Sequence, residues 1–210
     1  MTRPRNLSSR QSGFSMMEVL VSLLIILLGL MGLAGLLTRM QQAEFESYQR
    51  AQALVLLHDM VERIGLHRVT DLCFRLTDPA TGTPYLGTGS GGAPACAAST
   101  SNDNTQADNT LEEWHSLLQG AAETKGGLGA GAMVGARGCI SYDLSSELLA
   151  PDGTTVLDGT GIYTVSVSWQ GTTDTFAPTV NCANGLYGTP ATADTRRRTV
   201  STTFRLAHLK

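Results

Sequence analysis

The stretch 13–37, GFSMMEVLVSLLIILLGLMGLAGLL, sets the organisation of the whole chain. Apart from two serines and one carboxylate, Glu18, the sequence 14–37 is an uninterrupted apolar run. As an α-helix it would be about 36 Å long, which is enough to cross a bilayer. We therefore predict that 14–37 spans a membrane.

The residues before this segment predict its direction. Arg3, Arg5 and Arg10 precede it, and no acidic residue lies among them. Short segments rich in Lys and Arg stay in the cytoplasm. The chain from Thr38 onward should then lie outside the cytoplasm.

Two simpler explanations compete for the apolar segment. A cleavable secretory signal has an apolar core of about 7–15 residues followed by a small-residue cleavage site. This run is longer, and its best candidate site is GLAG at 32–35. A plain uncleaved anchor accounts for the length and the direction but not for Glu18, because a carboxylate inside a membrane is costly and usually marks a function.

The first 37 residues resemble the class III signal of type IV pilins and pseudopilins. The resemblance rests on a short basic leader that ends at Gly13, on the aromatic Phe14, and on Glu18 at the fifth position after the glycine. It implies that a prepilin peptidase cleaves between Gly13 and Phe14 and that the new amine of Phe14 is methylated. It also implies storage in the inner membrane, with the C-terminal domain in the periplasm, before the subunit enters a pilus at the cell surface.

The same resemblance implies a role for Glu18 in assembly. In pilins the carboxylate at this position pairs with the α-amine of a neighbouring subunit, and each charge then relieves the desolvation of the other. The alternative is intramolecular, because Glu18 lies near enough along its own helix to serve its own amine and the helix dipole. The cost of an unpaired charge in the membrane favours the pair between subunits.

Length, charge and cysteine content bound the rest of the chain. The 210 residues leave room beyond the membrane for one domain with its own core, and the formal charge of −3 offers no basic field for nucleic acid. Four cysteines outside the cytoplasm, with no CxxC pair, predict two disulfides. Three pairings are possible, and we favour Cys73 with Cys96 and Cys139 with Cys182, since each would staple a loop that is poor in apolar residues.

The membrane helix is expected to continue beyond the bilayer. The segment 38–64 has no proline or glycine, and one helix over 14–64 would be about 77 Å long. We predict an amphipathic half over 38–65. Its apolar side chains at helical spacing should face a globular domain: Ala53, Leu54, Leu57, Met60, Val61 and Ile64. Its charged side chains should be largely solvated: Glu44, Glu46, Arg50, Asp59, Glu62 and Arg63.

The domain 66–210 begins with loops and one short helix. The segment 66–109 is rich in Pro, Gly, Ser and Asn and is predicted to be mostly loop. A helix is predicted at 110–119, with Thr110 and Glu113 as a capping box and Trp114 in the core. The glycine-rich 126–138 is predicted to be a loop, because it lacks the GxGxxG spacing of a phosphate cradle.

The strands come last. Alternation of apolar and polar residues predicts strands at 139–142, 163–169 and 199–207, with 154–157 as a possible fourth. Helices followed by strands indicate an α+β fold. The class III signal and this order together imply a pilin-like architecture, in which the long helix packs against a C-terminal antiparallel sheet.

Beyond the signal, the order of features is similar to that of the PilV group of type IV pilus modification minor pilins. The matching segments are AQALVLLHDMVERI at 51–64, NTLEEWHSLL at 109–118, RGCI at 137–140 and YTVSVSWQG at 163–171. This resemblance implies a non-catalytic subunit that helps to prime pilus assembly, with twitching motility or adhesion as possible roles of the pilus. The implied partners are other major and minor pilins, the prepilin peptidase and the inner-membrane assembly platform.

Other function classes have weaker support. No nucleophile motif such as GxSxG occurs, and the four histidines show no metal spacing, so no enzyme, cofactor or metal is expected. The acidic tract at 103–109 lacks the EF-hand spacing and its central glycine, which favours a solvated loop over a calcium site. Arg196, Arg197 and Arg198 are expected to protect a strand edge rather than bind DNA. The alternatives kept are an I-type pseudopilin of a type II secretion system and a DNA- or surface-binding tip pilin.

Overall fold

The computed structural model describes residues 13–122, 124–126, 128–129, 133–188 and 194–207. The predicted leader therefore lies outside the described residues, except for Gly13. The elements in chain order are helix α1 (Met16–Leu66), a 3-10 helix (Arg68–Phe74), β1 (Leu86–Gly87), α2 (Ser101–Leu118), β2 (Thr124–Lys125), β3 (Leu128–Gly129), β4 (Arg137–Asp143), a 3-10 turn (Leu144–Ser146), β5 (Leu148–Leu149), β6 (Val156–Leu157), β7 (Ile162–Gln170) and β8 (Arg197–Arg205). The chain forms two compact units, Met1–Glu44 and Phe45–Lys210, and their boundary falls inside α1.

The described part of the first unit is the beginning of α1. Every side chain from Met16 to Glu44 is exposed. Among the described residues, α1 is the one helix that is long and apolar enough to cross a membrane. A helix that is apolar on all sides needs apolar surroundings, and the described residues of this unit supply none.

In the second unit, α1 has one buried face. The residues buried on it are Gln49, Ala53, Leu57, Met60 and Ile64. Four of these were predicted from the apolar spacing, and Val61 is partly buried at the edge of the same core. Leu54 was predicted to face the domain, but its side chain is 40% exposed. It follows Ala53 by one residue and is therefore turned about 100° away from the centre of the stripe.

Helix α2 begins well before the predicted start. The Oγ1 of Thr100 accepts a hydrogen bond from the Asp103 N–H at 3.3 Å, and both the Ser99 and Thr100 hydroxyls donate to the Asp103 carboxylate. The true N-cap is thus Thr100, and the predicted loop and capping box at Thr110 are wrong at this point. Side-chain capping starts the helix where the sequence is too polar to show an apolar period.

The main sheet is antiparallel with the strand order β1-β4-β7-β8. Central strand β7 sets Val165 opposite Ile140 of β4 and Thr202 of β8. Its side chains Tyr163, Val165, Val167 and Trp169 are buried in the core shared with α1 and α2, as their alternation predicted. The structure confirms the predicted α+β architecture, a long apolar N-terminal helix followed by an antiparallel sheet.

Smaller elements differ from the prediction. The fourth strand of the main sheet is β1, which has two residues and leaves no alternation to detect. The possible strand at 154–157 is instead β6, which pairs with β5 in a separate two-stranded sheet. Within the predicted glycine-rich loop, β3 pairs with β2.

Gly138, the last residue of the predicted glycine-rich loop, allows close packing. A Cβ on Gly138 would lie 2.2 Å from the Trp114 ring, so the indole packs directly on the backbone of β4. The same indole N–H donates to the Leu56 carbonyl at 2.9 Å. Trp114, which is fully buried, therefore joins α2 to both α1 and the sheet.

Two disulfides connect the loops to this core. Cys73 is bonded to Cys96, and Cys139 is bonded to Cys182, with Cα separations of 5.3 and 5.7 Å. These are the two pairs favoured from the sequence. The first ties the 3-10 helix after α1 to the segment before α2, and the second ties β4 to the segment between β7 and β8.

Candidate functional site

The predicted processing site lies at the start of α1. Gly13 and Phe14 precede the helix, and the Phe14 side chain is 84% exposed. The Ser15 carbonyl accepts hydrogen bonds from the Glu18 and Val19 N–H groups at 3.0 and 3.3 Å. The Ser15 hydroxyl oxygen also accepts from the Met17 N–H at 3.3 Å. The peptide bond between Gly13 and Phe14 therefore lies in non-helical chain just outside the first helical turn.

Glu18 lies in the first turn of α1 and is exposed. A carboxylate in the first turn is favoured by the helix dipole, which supports the intramolecular alternative. No ion pair or side-chain hydrogen bond of Glu18 occurs within the described part of the chain.

The polar side chains of the acidic tract 103–109, weighed above as calcium ligands, bond to neighbouring backbone instead. The Asp108 carboxylate accepts from the Cys96 N–H at 2.7 Å, and Asn104 accepts from the Ala98 and Ser99 N–H groups. The acidic tract is therefore helical and holds the segment before α2 in place. No group of three or more His, Cys, Asp or Glu side chains suited to a metal occurs among the described residues.

The histidines are dispersed. His58 is exposed, whereas His67 is partly buried and its Nε2 lies 2.9 Å from the Thr110 hydroxyl. Burial lowers the pKa of His67. The His115 Nδ1 accepts from the Gly87 N–H at 3.0 Å, so this buried ring links α2 to β1. His208 lies outside the described residues.

The arginine cluster was predicted to protect a strand edge, but Arg197 lies inside the domain. Arg197 is 2% exposed, and its guanidinium donates to the carbonyls of Val180, Cys182 and Pro178. Its Nε lies 3.3 Å from a carboxylate oxygen of Asp194. Carbonyls and a carboxylate neutralise this cation inside the domain, which is why it can be buried.

Arg196 and Arg198 also have partners within the domain. The Arg196 Nε lies 3.1 Å from the Asp174 carboxylate. Arg198 donates to the Thr173 carbonyl at 2.9 Å and to the Thr175 hydroxyl at 2.6 Å. The predicted edge strand is real, because β8 is the last strand of the sheet. Arg196, Arg197 and Arg198, however, fasten the loop between β7 and β8.

A further cluster surrounds Glu46, and no sequence pattern indicated it. The carboxylate of Glu46, predicted to be solvated, accepts from the Thr172 N–H at 3.0 Å and from the Thr172 hydroxyl at 2.7 Å. Arg198 lies 3.5 Å from the same oxygen. The Thr172 hydroxyl is the main cause of a lowered pKa for Glu46, and the Thr172 N–H and Arg198 lower it further. No periodicity links positions so far apart in the chain, so only the fold reveals this contact.

Comparison with known proteins identifies the start of the chain. Residues 8–34 match the family model described as the prokaryotic N-terminal methylation motif. No curated protein and no solved structure matches the chain. The match contains Gly13, Phe14 and Glu18 together with most of the apolar segment. It supports a pilin-like protein that is anchored in a membrane and assembles with other pilins.

Proposed function

We propose that this chain is a minor pilin of a type IV pilus, a non-catalytic subunit that waits in the inner membrane and helps to prime pilus assembly. One observation carries the proposal. A methylation motif at 8–34 leads into a helix whose first part is exposed on every side and whose last part forms one wall of an α+β core. An apolar helix with no partner in the described part of its own chain is suited first to lipid and then to the helices of other subunits.

Processing is the first step of the proposed role. Prepilin peptidase would cut the bond between Gly13 and Phe14 on the cytoplasmic face, and the new amine of Phe14 would be methylated. The exposed, non-helical chain at this bond supports the assignment, because a protease must reach the backbone on both sides of the cut. The apolar segment would then hold the domain in the periplasm.

Glu18 would act in the second step. Its carboxylate has no partner among the described residues, and a charge left unpaired in the bilayer is costly. The methylated amine of a neighbouring subunit would supply the opposite charge during docking. Lateral packing of the apolar helices would supply most of the remaining attraction.

Among minor pilins we favour the PilV group, because the similarity of segments continues through the second helix and the strands. An I-type pseudopilin of a type II secretion system would carry the same motif, and the neighbouring genes would distinguish the two. A DNA-binding tip pilin has less support. Arg197 and Arg198 are engaged by carbonyls and carboxylates of their own domain, which leaves fewer free cations for phosphates.

Mass spectrometry of the protein extracted from membranes tests the proposal. The chain should begin at Phe14 and carry a methylated amine. A Gly13→Val variant should keep its leader, since the proposed cut follows a small residue that a branched side chain would replace. A wild-type chain that begins near Gly35, or that retains Met1, would contradict the proposal.

A further inference from the structure

One aromatic side chain of the second unit stands almost free in solvent. Phe176 is 99% exposed, more than any other large apolar side chain in the described part of the chain. Isolated exposed apolar residues are common on soluble domains and need no explanation. Phe176 differs from such residues because hydrogen bonds fix the backbone of the loop that carries it.

Hydrogen bonds hold the first residues of this loop, 171–175, to the segment that precedes β8. The Gly171 N–H donates to the Arg196 carbonyl at 2.8 Å, and the Thr175 N–H donates to the Thr195 carbonyl at 2.7 Å. Arg198 adds the bonds to Thr173 and Thr175 described above. Phe176 therefore follows directly after an anchored residue, and its exposure is a feature of an ordered loop.

The loop lies at the end of the domain where α1 enters it. Glu46, which binds Thr172, is the second residue of the unit Phe45–Lys210. Phe45 and Tyr48, on the same turn of α1, are 45% and 52% exposed. In the sequence this turn follows the apolar run 14–37 by about two helical turns. Three exposed aromatic side chains thus lie at the end of the domain nearest, along the chain, to the membrane segment.

The charges of this end suit a bilayer surface. The loop 171–180 carries one carboxylate, Asp174, which is paired with Arg196. The carboxylate of Glu46 is matched by Arg198. Glu44, the exposed carboxylate next to Phe45, is flanked along the helix by the exposed Arg39 and Arg50. With Asp174 and Glu46 neutralised as well, little repulsion from anionic phospholipids is expected at this end.

We infer that Phe176, with Phe45 and Tyr48, docks into the headgroup region of the membrane that holds 14–37. Aromatic side chains are enriched at this level of membrane proteins, where apolar rings leave water without entering the hydrocarbon core. The inference rests on the proposed function, because the membrane segment keeps this end of the domain near the bilayer. Docking would hold the domain against the membrane until the subunit is extracted into a pilus.

Fluorescence quenching by lipids tests the contact. The full chain is reconstituted in vesicles of phosphatidylethanolamine and phosphatidylglycerol, with and without brominated acyl chains, as the Phe176→Trp variant. The native Trp114 and Trp169 are 0% and 3% exposed, so lipid cannot reach them and their emission adds the same unquenched background to every variant. The matched control is Leu149→Trp, at a side chain that is 55% exposed.

The control lies at the other end of the domain. The bond from Arg205 to the Ser146 carbonyl places the β5 region beside the Ile162 end of β7, whereas the 171–176 loop follows the Gln170 end. These ends are about 25 Å apart along the strand. Brominated lipid should therefore quench the Phe176→Trp emission several-fold more than that of the control.

Each other outcome overturns the inference in a recognisable way. Equal, weak quenching of both variants in chains that float with the vesicles would show that the loop does not touch lipid, while leaving the membrane anchor intact. A blue shift that grows with protein density without lipid quenching would assign Phe176 to contacts between subunits. Failure of the chain to float with vesicles would refute the proposed function as well.

Discussion

The first and last parts of helix α1 have different surroundings, and this difference accounts for how the chain is organised. In its first part, 16–44, every side chain is exposed, including long apolar ones such as Leu28 at 63%. In its last part, Ala53, Leu57, Met60 and Ile64 are all 0–1% exposed. The first part is apolar on all sides up to Leu37, and the last part only along one stripe. A stripe can be satisfied by the chain's own core, whereas an all-round apolar helix needs lipid or other subunits.

The carboxylates of the two parts differ in the same way. Glu46 finds the backbone N–H and hydroxyl of Thr172 and the guanidinium of Arg198 within its own domain. Glu18 finds no partner in the described chain. The comparison therefore predicts that Glu18 matters for association with other molecules and that Glu46 matters for the stability of one molecule.

The largest expected effect is the loss of assembly in a Glu18→Ala variant. Removing one member of a buried ion pair costs about 3–5 kcal/mol, which is enough to prevent a subunit from docking. The domain has its own core and disulfides, so its folding should not change. The variant should be processed and accumulate in the inner membrane, yet fail to restore surface pili to a deletion strain.

The matched control for this experiment is Glu44→Ala. Glu44 is also an exposed carboxylate on α1, but it lies beyond the apolar run. The Glu44→Ala variant should restore surface pili to the deletion strain. Normal piliation by Glu18→Ala at normal protein levels would show that the carboxylate serves only its own helix.

The next effect concerns the second part of the comparison, where the helix meets its domain. Trp114 is fully buried, bonds to Leu56 of α1 and packs on Gly138 of β4. Replacing a buried Trp by Ala typically costs about 3–5 kcal/mol, because the cavity only partly collapses. Urea unfolding of Trp114→Ala in detergent micelles, followed by the fluorescence of Trp169, should show a loss of this size.

Trp114→Phe refines the measurement. It keeps a ring against Gly138 but loses the hydrogen bond to Leu56, so about 1–2 kcal/mol of the loss should remain. Both variants should still be cut between Gly13 and Phe14, since that bond belongs to the other unit. A fully stable Trp114→Ala variant would mean that α2 does not join the helix to the sheet.

Prediction from sequence succeeded where the pattern was strong and local. The apolar run, the stripe on α1 and the alternation of β7 all repeat with the period of their element, and the structure contains each of them. The match at 8–34 likewise depends on consecutive residues. Such signals are visible because each residue supports the interpretation of its neighbours.

Prediction failed where the fold depends on contacts between distant residues or on side-chain capping. The polar residues after Thr100 form a helix because Thr100 and Asp103 cap it, not because of any apolar period. Strand β1 exists only because β4 pairs with it. Arg197 has the sequence context of a surface cation, and only the fold brings the carbonyls of 178–182 around it.

The smallest effect should come from Glu46, whose contacts the sequence did not reveal. Hydrogen bonds to a charged group contribute about 1.5–3 kcal/mol when buried, and partial exposure of this carboxylate reduces the figure to about 1 kcal/mol. Glu46→Gln should therefore lower the free energy of unfolding by about that much at neutral pH. Glu62→Gln, at an exposed carboxylate of the same helix, should have no measurable effect.

The pH dependence identifies the cause of this loss. The Thr172 hydroxyl, the Thr172 N–H and Arg198 lower the pKa of Glu46 in the folded domain. A carboxylate with a lowered pKa stabilises the fold above its unfolded pKa, which is about 4.3, and the contribution is lost as the pH falls through the lower folded value. The difference in unfolding free energy between the wild type and Glu46→Gln should thus be constant from neutral pH down to about pH 5 and shrink below it. At about pH 3, well below the unfolded pKa, a remaining difference in unfolding free energy would mean that the substituted amide disturbs packing. The ionised carboxylate would then not be what fastens α1 to the loop after β7.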